Sequence, residues 1–169
     1  MTTSKRETLI VGLRNLYGLE GQAVSTLDNA QSGLEHYPEL KAAVVQHLAE
    51  SRRQQEQVGG MLEGLGESPS TLKDAVMKLA GNVQAMVHGM AGDTVLKNLF
   101  TLYAFEHFEI ASYRSAVAMA EEVGEPGVAQ TCREILRQEE AAAQKLGGMI
   151  ESTTKTYMAR EAAGQQSAT

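Results

Sequence analysis

The sequence contains no tryptophan, a single cysteine and only three prolines, and each shortage excludes a class of protein. One cysteine, Cys132, cannot form an internal disulfide, so the chain is not a disulfide-stapled secreted domain. Neither a signal-peptide pattern nor an apolar run near the ~18 residues of a membrane span is present. We therefore expect a cytoplasmic protein with no membrane partner, in which Cys132 is a small buried hydrophobe.

An excess of basic residues is also absent. Lysine and arginine together number 15 against 21 acidic residues, which gives a formal charge of −6 and a pI near 5.3. The basic residues, for example Arg52 and Arg53, are scattered among acids rather than massed on one face. We therefore expect no nucleic-acid partner.

The sequence is rich in residues that favour helices. It is 43% hydrophobic, rich in Ala, Leu, Glu, Gln and Met, and short of β-branched runs, a composition typical of helices. A chain of 169 residues has room for one hydrophobic core. We predict an all-α protein with a single domain over residues 1–161 and a polar, flexible C-terminal tail over 162–169.

Breaks in the helical pattern divide the chain into four long segments and one short one. Ser4 and Glu7 form a capping box, and Pro38 and Pro126 suit the first turn of a helix. Glycine and Ser-Pro breaks end the segments. The long segments are predicted over residues 5–32, 38–65, 94–123 and 126 into the 150s, and the short segment over 69–91.

The order of these segments indicates how they pack. Each long segment has about 27 residues, or ~40 Å of helix at 1.5 Å per residue. Short links make two antiparallel hairpins, one from the first two long segments and one from the last two. The long connection between the hairpins carries the short segment. The sequence therefore predicts a ferritin-like antiparallel four-helix bundle with an additional helix in the crossover.

Carboxylates interrupt the apolar stripe of every long segment, near its middle. The four interrupting acids are Glu20, Glu50, Glu106 and Glu139. Glu109 lies beside Glu106 on the same helix face, and His47 stands one turn before Glu50. Antiparallel packing of helices of equal length would bring these residues to one level of the bundle, where they would form a polar ring.

Buried carboxylates need compensation, because an unpaired one costs several kcal/mol against a typical stability of ~5–15 kcal/mol. Two divalent ions would supply a charge of +4, and carboxylates with an imidazole suit iron or manganese, so one hypothesis is a dinuclear metal site. The alternative is a metal-free polar layer that fixes helix register and is satisfied by water, by Tyr17, Tyr103 and Tyr113, or by Arg53. His47 is correspondingly either a direct ligand or a core histidine beside the ligands.

Four motifs resemble those of the ferritin-like YciE/YciF proteins of bacterial stress responses. They are LRNLYGLEGQ at 13–22, HLAESRRQ at 47–54, FEHFEIASY at 105–113, which is the most specific, and ILRQEEA at 135–141. The resemblance implies a ferritin-like four-helix bundle, a homodimer, a cytoplasmic setting and a role in stress tolerance. It also implies that the candidate metal ligands fall on Glu20, Glu50, Glu106, Glu109 and Glu139.

The chain departs from the pattern of ferritin-like di-iron enzymes at two positions. Those enzymes carry Glu-x-x-His on two helices, but Arg53 stands three residues after Glu50 and Ala142 three residues after Glu139. His47 could take the place of a missing histidine on the face of Glu50. No organic cofactor and no particular catalytic side chain is indicated.

Two functions from different classes follow. In the first, a dinuclear iron or manganese site oxidises iron or removes peroxide. In the second, a metal-free dimer with a structural polar layer acts by binding a partner. Iron storage in a cage is a weaker third hypothesis, because the sequence identifies no cage-forming surface. The apolar face of the short segment, which includes Met77, Met86 and Met90, either covers the bundle or forms a dimer interface.

Overall fold

Four α-helices form the part of the chain that the computed structural model describes, residues 4–68 and 95–165. They are α1 (Lys5–Ala30), α2 (Pro38–Gly64), α3 (Val95–Val123) and α4 (Pro126–Ala162). No strand occurs among these residues, in agreement with the predicted all-α class. The short helix predicted over 69–91, with its methionine-rich face, lies outside the described residues.

The helix ends follow from local sequence. The Ser4 hydroxyl accepts a hydrogen bond from the Glu7 amide at 3.2 Å, which confirms the predicted cap, and prolines occupy the first turns of α2 and α4. Gly66 and Gly124 adopt positive φ angles of 96° and 77°, which glycine reaches without a steric penalty.

Two helices end at positions that differ from the prediction. Helix α1 stops at Ala30 rather than 32, where the Ser32 hydroxyl donates to the Asn29 carbonyl and competes with the helical pattern. Helix α4 continues to Ala162, beyond the 150s, because neither glycine nor proline interrupts residues 149–163.

The helices pack in the cyclic order α1, α2, α4, α3 around two apolar clusters. The first cluster joins the beginning of α1 to the ends of α2 and α3 and the beginning of α4; it includes Leu9, Leu13, Val58, Leu62, Ala120 and Ile135. The second joins the opposite ends of the same helices; it includes Leu27, Leu40, Val44, Leu99 and Leu146. Neighbouring helices are therefore antiparallel.

The positions of these clusters determine the topology of the connection between α2 and α3. Helix α2 ends in the first cluster, with Leu62, whereas α3 begins in the second, with Val95 and Leu99. The end of α2 and the beginning of α3 therefore lie at opposite ends of the bundle, ~40 Å apart. This placement of the two helix ends agrees with the two antiparallel hairpins that the sequence predicted.

Burial also explains why the single cysteine thiol is unreactive. Cys132 is fully buried in the first cluster, and burial raises its pKa to about 12, so the thiolate is strongly disfavoured. This agrees with its predicted part as a small hydrophobe. None of the helices in the described ranges carries an apolar stretch of the length that a bilayer crossing requires.

Candidate metal centre

A layer of buried polar side chains separates the two apolar clusters. Its acids are Glu20 from α1, Glu106 and Glu109 from α3, and Glu139 from α4, each at most 1% exposed. The helical stripes predicted that all four would face the core, and the structure confirms this. Each of these acids lies near the middle of its helix. Because neighbouring helices run antiparallel, the four acids lie at one level of the bundle.

Four residues of this layer form a tight group that could hold a metal ion: His47, Glu106, Glu109 and Glu139. One potential ligand atom from each lies within 4.8 Å of those of the other three. His47 Nε2 is 3.0 Å from Glu106 Oε2 and 3.7 Å from Glu139 Oε2. The group therefore offers carboxylate oxygens from two helices and an imidazole nitrogen from a third.

Glu20 lies outside this four-residue group, although it is fully buried in the same layer. The Tyr113 hydroxyl donates a hydrogen bond to Glu20 Oε1. The second oxygen, Oε2, has no hydrogen-bond partner among the described residues. The charge of Glu20 nevertheless acts on Glu109 and Glu139, so it belongs to the same electrostatic unit.

Glu50 differs from the prediction that every long helix buries one acid. Its side chain is 24% exposed, and its Oε1 accepts a hydrogen bond from Gln46 Nε2 at 2.9 Å. Glu50 Oε2 lies 3.5 Å from His47 Nδ1. The buried polar position of α2 belongs instead to His47, which lies about 60° from Glu50 around the helix and faces the centre of the bundle.

Almost no positive charge compensates the layer. Arg53, which the sequence offered as a compensating group, is exposed. The arginine and lysine ion pairs described in residues 4–68 and 95–165 join exposed or partly buried groups away from the layer, for example Arg114 with Glu140. Among the residues that the structure describes, His47 is the only basic side chain within ion-pairing distance of the buried acids.

Several carboxylate oxygens are consequently without hydrogen-bond partners in the described structure. One oxygen of Glu20 and both oxygens of Glu109 and Glu139 are buried without a hydrogen-bond partner, whereas Glu106 Oε2 meets His47 Nε2 at 3.0 Å. Native proteins satisfy nearly all buried polar atoms, so unpaired oxygens that converge from three helices indicate a missing positive group. An oxygen-rich set with one imidazole fits a divalent metal ion.

The electrostatic cost shows in the pKa values. Burial raises the pKa of Glu20 to about 8, although Tyr113 and His47 lower it, and burial together with the charges of Glu20 and Glu106 raises the pKa of Glu139 to about 10. Burial and the same neighbours raise the pKa of Glu109 well above its ordinary value. Burial alone would lower the pKa of His47, but the carboxylates of Glu106 and Glu50 outweigh it and raise this pKa.

The other predicted neighbours of the layer occupy different environments. Tyr113 is fully buried, and burial followed by the charge of Glu20 raises its pKa well above 10. Tyr17 and Tyr103 are only partly buried and pack against the apolar clusters. Tyr103 also meets the exposed His107 edge to face, with ring centroids 4.6 Å apart.

Gln54 is a member of the layer to which the sequence assigned no part. It is fully buried, and its Nε2 donates to Gln138 Oε1 at 3.0 Å, while its own Oε1 has no described partner. The available signal was the run of polar stripe positions on α2 at His47, Glu50 and Gln54. A run of this kind marks where the layer crosses the helix, but it does not assign roles to its members.

Comparisons with known proteins agree with this architecture. A family model described as "Domain of unknown function (DUF892)" matches residues 4–159. The crystal structure of a protein from Xanthomonas campestris pv. campestris is 37% identical to this chain, covering 93% of this chain and 97% of that one, with a TM-score of 0.78.

Two more distant structures share the fold. The E. coli stress protein YciF is 24% identical, covering 88% of this chain and 96% of that one, with a TM-score of 0.69. YcfI from Rhodopseudomonas palustris is also 24% identical, covering 85% and 93%, with a TM-score of 0.65. The resemblance to the YciE/YciF proteins that the four sequence motifs predicted is thus confirmed, and the chain belongs to the DUF892 family.

Proposed function

We propose that this chain is a stress-response protein whose buried layer binds two divalent metal ions, iron or manganese, and uses them to oxidise iron or remove peroxide. The observation that carries the proposal is the set of buried carboxylate oxygens without partners, converging on one imidazole between the apolar clusters. The likeness to a stress protein of the same fold supports the physiological setting.

Charge balance favours two ions rather than one. Four carboxylates are fully buried, so the layer carries up to −4 when all are ionised. Two divalent ions supply +4 and would offset the burial, and the repulsion between carboxylates, that raise the pKa values of Glu20, Glu109 and Glu139. One ion would leave two buried negative charges that only His47 could balance.

The residues divide naturally between the two positions. His47, Glu106, Glu109 and Glu139 would hold the first ion, since their ligand atoms already lie together. Glu20 is the remaining buried carboxylate and would contribute to the second ion through its unpaired Oε2. Carboxylate oxygens with a single imidazole suit iron or manganese.

The chain's own side chains would shape the chemistry of the site. When bound, iron or manganese would supply one-electron redox chemistry toward peroxide or oxygen. The apolar clusters above and below exclude bulk water and strengthen electrostatic interactions in the layer. Tyr113 holds one oxygen of Glu20 in place, and Glu50 lies beside the His47 nitrogen that faces away from the layer, Nδ1, at 3.5 Å.

A metal-free structural layer is the second candidate. The raised pKa values of Glu109 and Glu139 favour it, because a protonated carboxyl group can lie in the core without a counter-charge. Such a layer would serve a dimer that acts through a protein partner. The two candidates differ in a simple property, the metal content of the purified protein.

The deciding experiment is elemental analysis of protein purified without chelator, followed by anaerobic Fe(II) titration and admission of air. We expect about two irons per chain and a new near-ultraviolet absorption when air enters. The double variant Glu106→Gln/Glu139→Gln should lose both signals. The matched control is Glu121→Gln/Glu140→Gln, whose acids are exposed and paired with arginines. Absence of metal from the parent protein, with no response to Fe(II) or Mn(II), would establish the structural layer instead.

A further inference from the structure

A cavity of about 160 Å³ opens between α2 and α4, and His47 forms part of its wall. His47 is also a member of the four-residue group in the buried layer. The cavity therefore touches the candidate metal centre directly. Cavities lined by Gly12 and Phe108, by Tyr37 and Thr153, and by Met61 and Val128 include no residue of that group. The backbones of α2 and α4 approach each other closely at fewer positions than those of the other three neighbouring helix pairs.

Polar side chains lead from the cavity mouth to the buried acids without a break. Lys145 Nζ donates to Gln46 Oε1 at 2.8 Å, and Gln46 Nε2 donates to Glu50 Oε1 at 2.9 Å. Glu50 Oε2 lies 3.5 Å from His47 Nδ1, and the other ring nitrogen lies 3.0 Å from Glu106 Oε2. Side-chain exposure falls along this line from 24% at Glu50 to 6% at His47 and 2% at Glu106.

We propose that this cavity is the route by which divalent cations reach the buried layer, with Glu50 as the residue that receives them at the mouth and His47 as the residue that passes them inward. The inference rests on the proposed function, because it concerns how that site is filled. It gives Glu50 a role other than that of a permanent ligand.

The chemistry of the route suits a cation. Glu50 keeps one oxygen within 3.5 Å of an imidazole nitrogen, so the two residues can share an ion that has shed part of its water. The same imidazole presents its second nitrogen to Glu106 inside the layer. A cation can therefore move from one side of the His47 ring to the other while carboxylate oxygens remain close throughout.

Lys145 opposes this passage in two ways. Its ammonium group places a positive charge at the mouth of the cavity, where it repels an approaching cation. Its hydrogen bond to Gln46 also continues to Glu50, which holds that carboxylate in place. Glu50 and Lys145 carry opposite charges at the same mouth. Removing the charge of Glu50 should slow metal uptake, whereas removing that of Lys145 should accelerate it.

The experiment is stopped-flow mixing of the full chain with Co(II), whose visible absorption reports ligand binding without any turnover. We expect Glu50→Gln to slow uptake roughly tenfold and Lys145→Met to accelerate it roughly threefold, with the final absorbance retained in both. The control for the acid is Glu134→Gln, an exposed glutamate that accepts from Gln130 in the same i, i+4 arrangement. Lys155→Met, at an exposed lysine paired with Glu151, is the control for the base.

A steric variant tests the route without changing charge. Ala141 is an exposed residue that lines the cavity, so Ala141→Leu should narrow the passage and slow uptake several-fold. Ala118→Leu makes the same change at an exposed position of α3 away from the cavity and should load at the parent rate. Unchanged helical circular dichroism and final absorbance verify that each variant is folded.

The outcomes separate this inference from the proposed function. A parent protein that binds no Co(II), Fe(II) or Mn(II) overturns both. A parent that loads normally, with Glu50→Gln and Ala141→Leu loading at the same rate, overturns the route alone and leaves the metal site standing. A Glu50→Gln variant that loads quickly but loses part of the final absorbance shows that Glu50 is a permanent ligand, which also overturns the route.

Discussion

The Tyr113 hydroxyl donates a hydrogen bond to Oε1 of Glu20 between α3 and α1, and both side chains are fully buried. This neutral donor is the one described hydrogen-bond partner of the carboxylate, and it lowers the pKa of Glu20, which burial nevertheless raises to about 8. Tyr113 thus partly offsets the cost of an acid that no arginine or lysine among the described residues approaches.

Substitution Tyr113→Phe should therefore destabilise the metal-free protein. The change removes the hydrogen bond and leaves a second buried oxygen of Glu20 unpaired, so we expect a loss of about 1–3 kcal/mol in the free energy of unfolding. Urea denaturation in the presence of chelator measures it. The pKa of Glu20 should also rise further, because the hydrogen bond from Tyr113 lowers it.

The control for this variant is Tyr103→Phe. Tyr103 is only partly buried and contacts His107 through its ring, so loss of its hydroxyl should change stability by less than about 1 kcal/mol. Equal losses for the two variants would show that the hydrogen bond to Glu20 contributes nothing specific.

Stability of the metal-free protein should fall as the pH rises from about 5 to about 9. The folded state raises the pKa of Glu139 from 4.5 to about 10 and that of Glu20 to about 8, so over this range it holds more protons than the unfolded chain. The free energy of unfolding then decreases with pH, by about 1.4 kcal/mol per pH unit for each excess proton. His47 acts in the same direction, because its raised pKa provides stability that is lost as the pH rises through it.

Thermal or urea unfolding across this pH range, with chelator present, checks the sign. The variant Glu139→Gln carries no titrating group at that position and should show a shallower slope. Stability that increases between about pH 5 and 9 would mean that the buried acids are ionised in the folded metal-free protein, contrary to the raised pKa values.

Much of this arrangement could be predicted from the sequence, because capping residues, glycine breaks and apolar stripes fixed the helices and their faces. The stripes placed Glu20, Glu106 and Glu139 inside because hydrophobes flank each of them along its stripe. On α2, however, His47 and Glu50 both interrupt the stripe. Which of them faces the centre depends on a rotation of about 60° that the packing of the whole helix decides.

Contacts between residues that are far apart in the sequence could not be predicted, for a related reason. It placed three tyrosines near the layer, but only the structure shows that Tyr113 is the one that meets Glu20, 93 residues away. That choice depends on helix rotation and side-chain rotamers in three dimensions. The cavity beside His47 likewise follows from the separation of α2 and α4, which no local pattern encodes.

Glu20→Gln should separate the two metal positions. The four-residue group of His47, Glu106, Glu109 and Glu139 does not include Glu20, so it should still hold an ion. We expect Mn(II) stoichiometry to fall from about two to about one per chain, as measured by equilibrium dialysis. Retention of two ions would show that Glu20 is dispensable as a ligand.

Glu139→Gln should change stability in opposite directions with and without metal. In chelator, near pH 8, folding of the parent must protonate Glu139, whose pKa rises from 4.5 to about 10. Glutamine removes this cost, so unfolding should become harder by about 1–3 kcal/mol or stay unchanged. With Mn(II) at about 100 times its dissociation constant, the parent gains about 2.7 kcal/mol for each ion that it binds, whereas the variant loses a ligand and most of that gain. The parent should then be the more stable of the two.

The matched control Glu140→Gln, at an exposed acid paired with Arg114, should shift neither curve. Because a purely structural layer predicts the first effect but not its reversal by metal, the crossing of the two unfolding curves distinguishes a binding site from a buried polar layer.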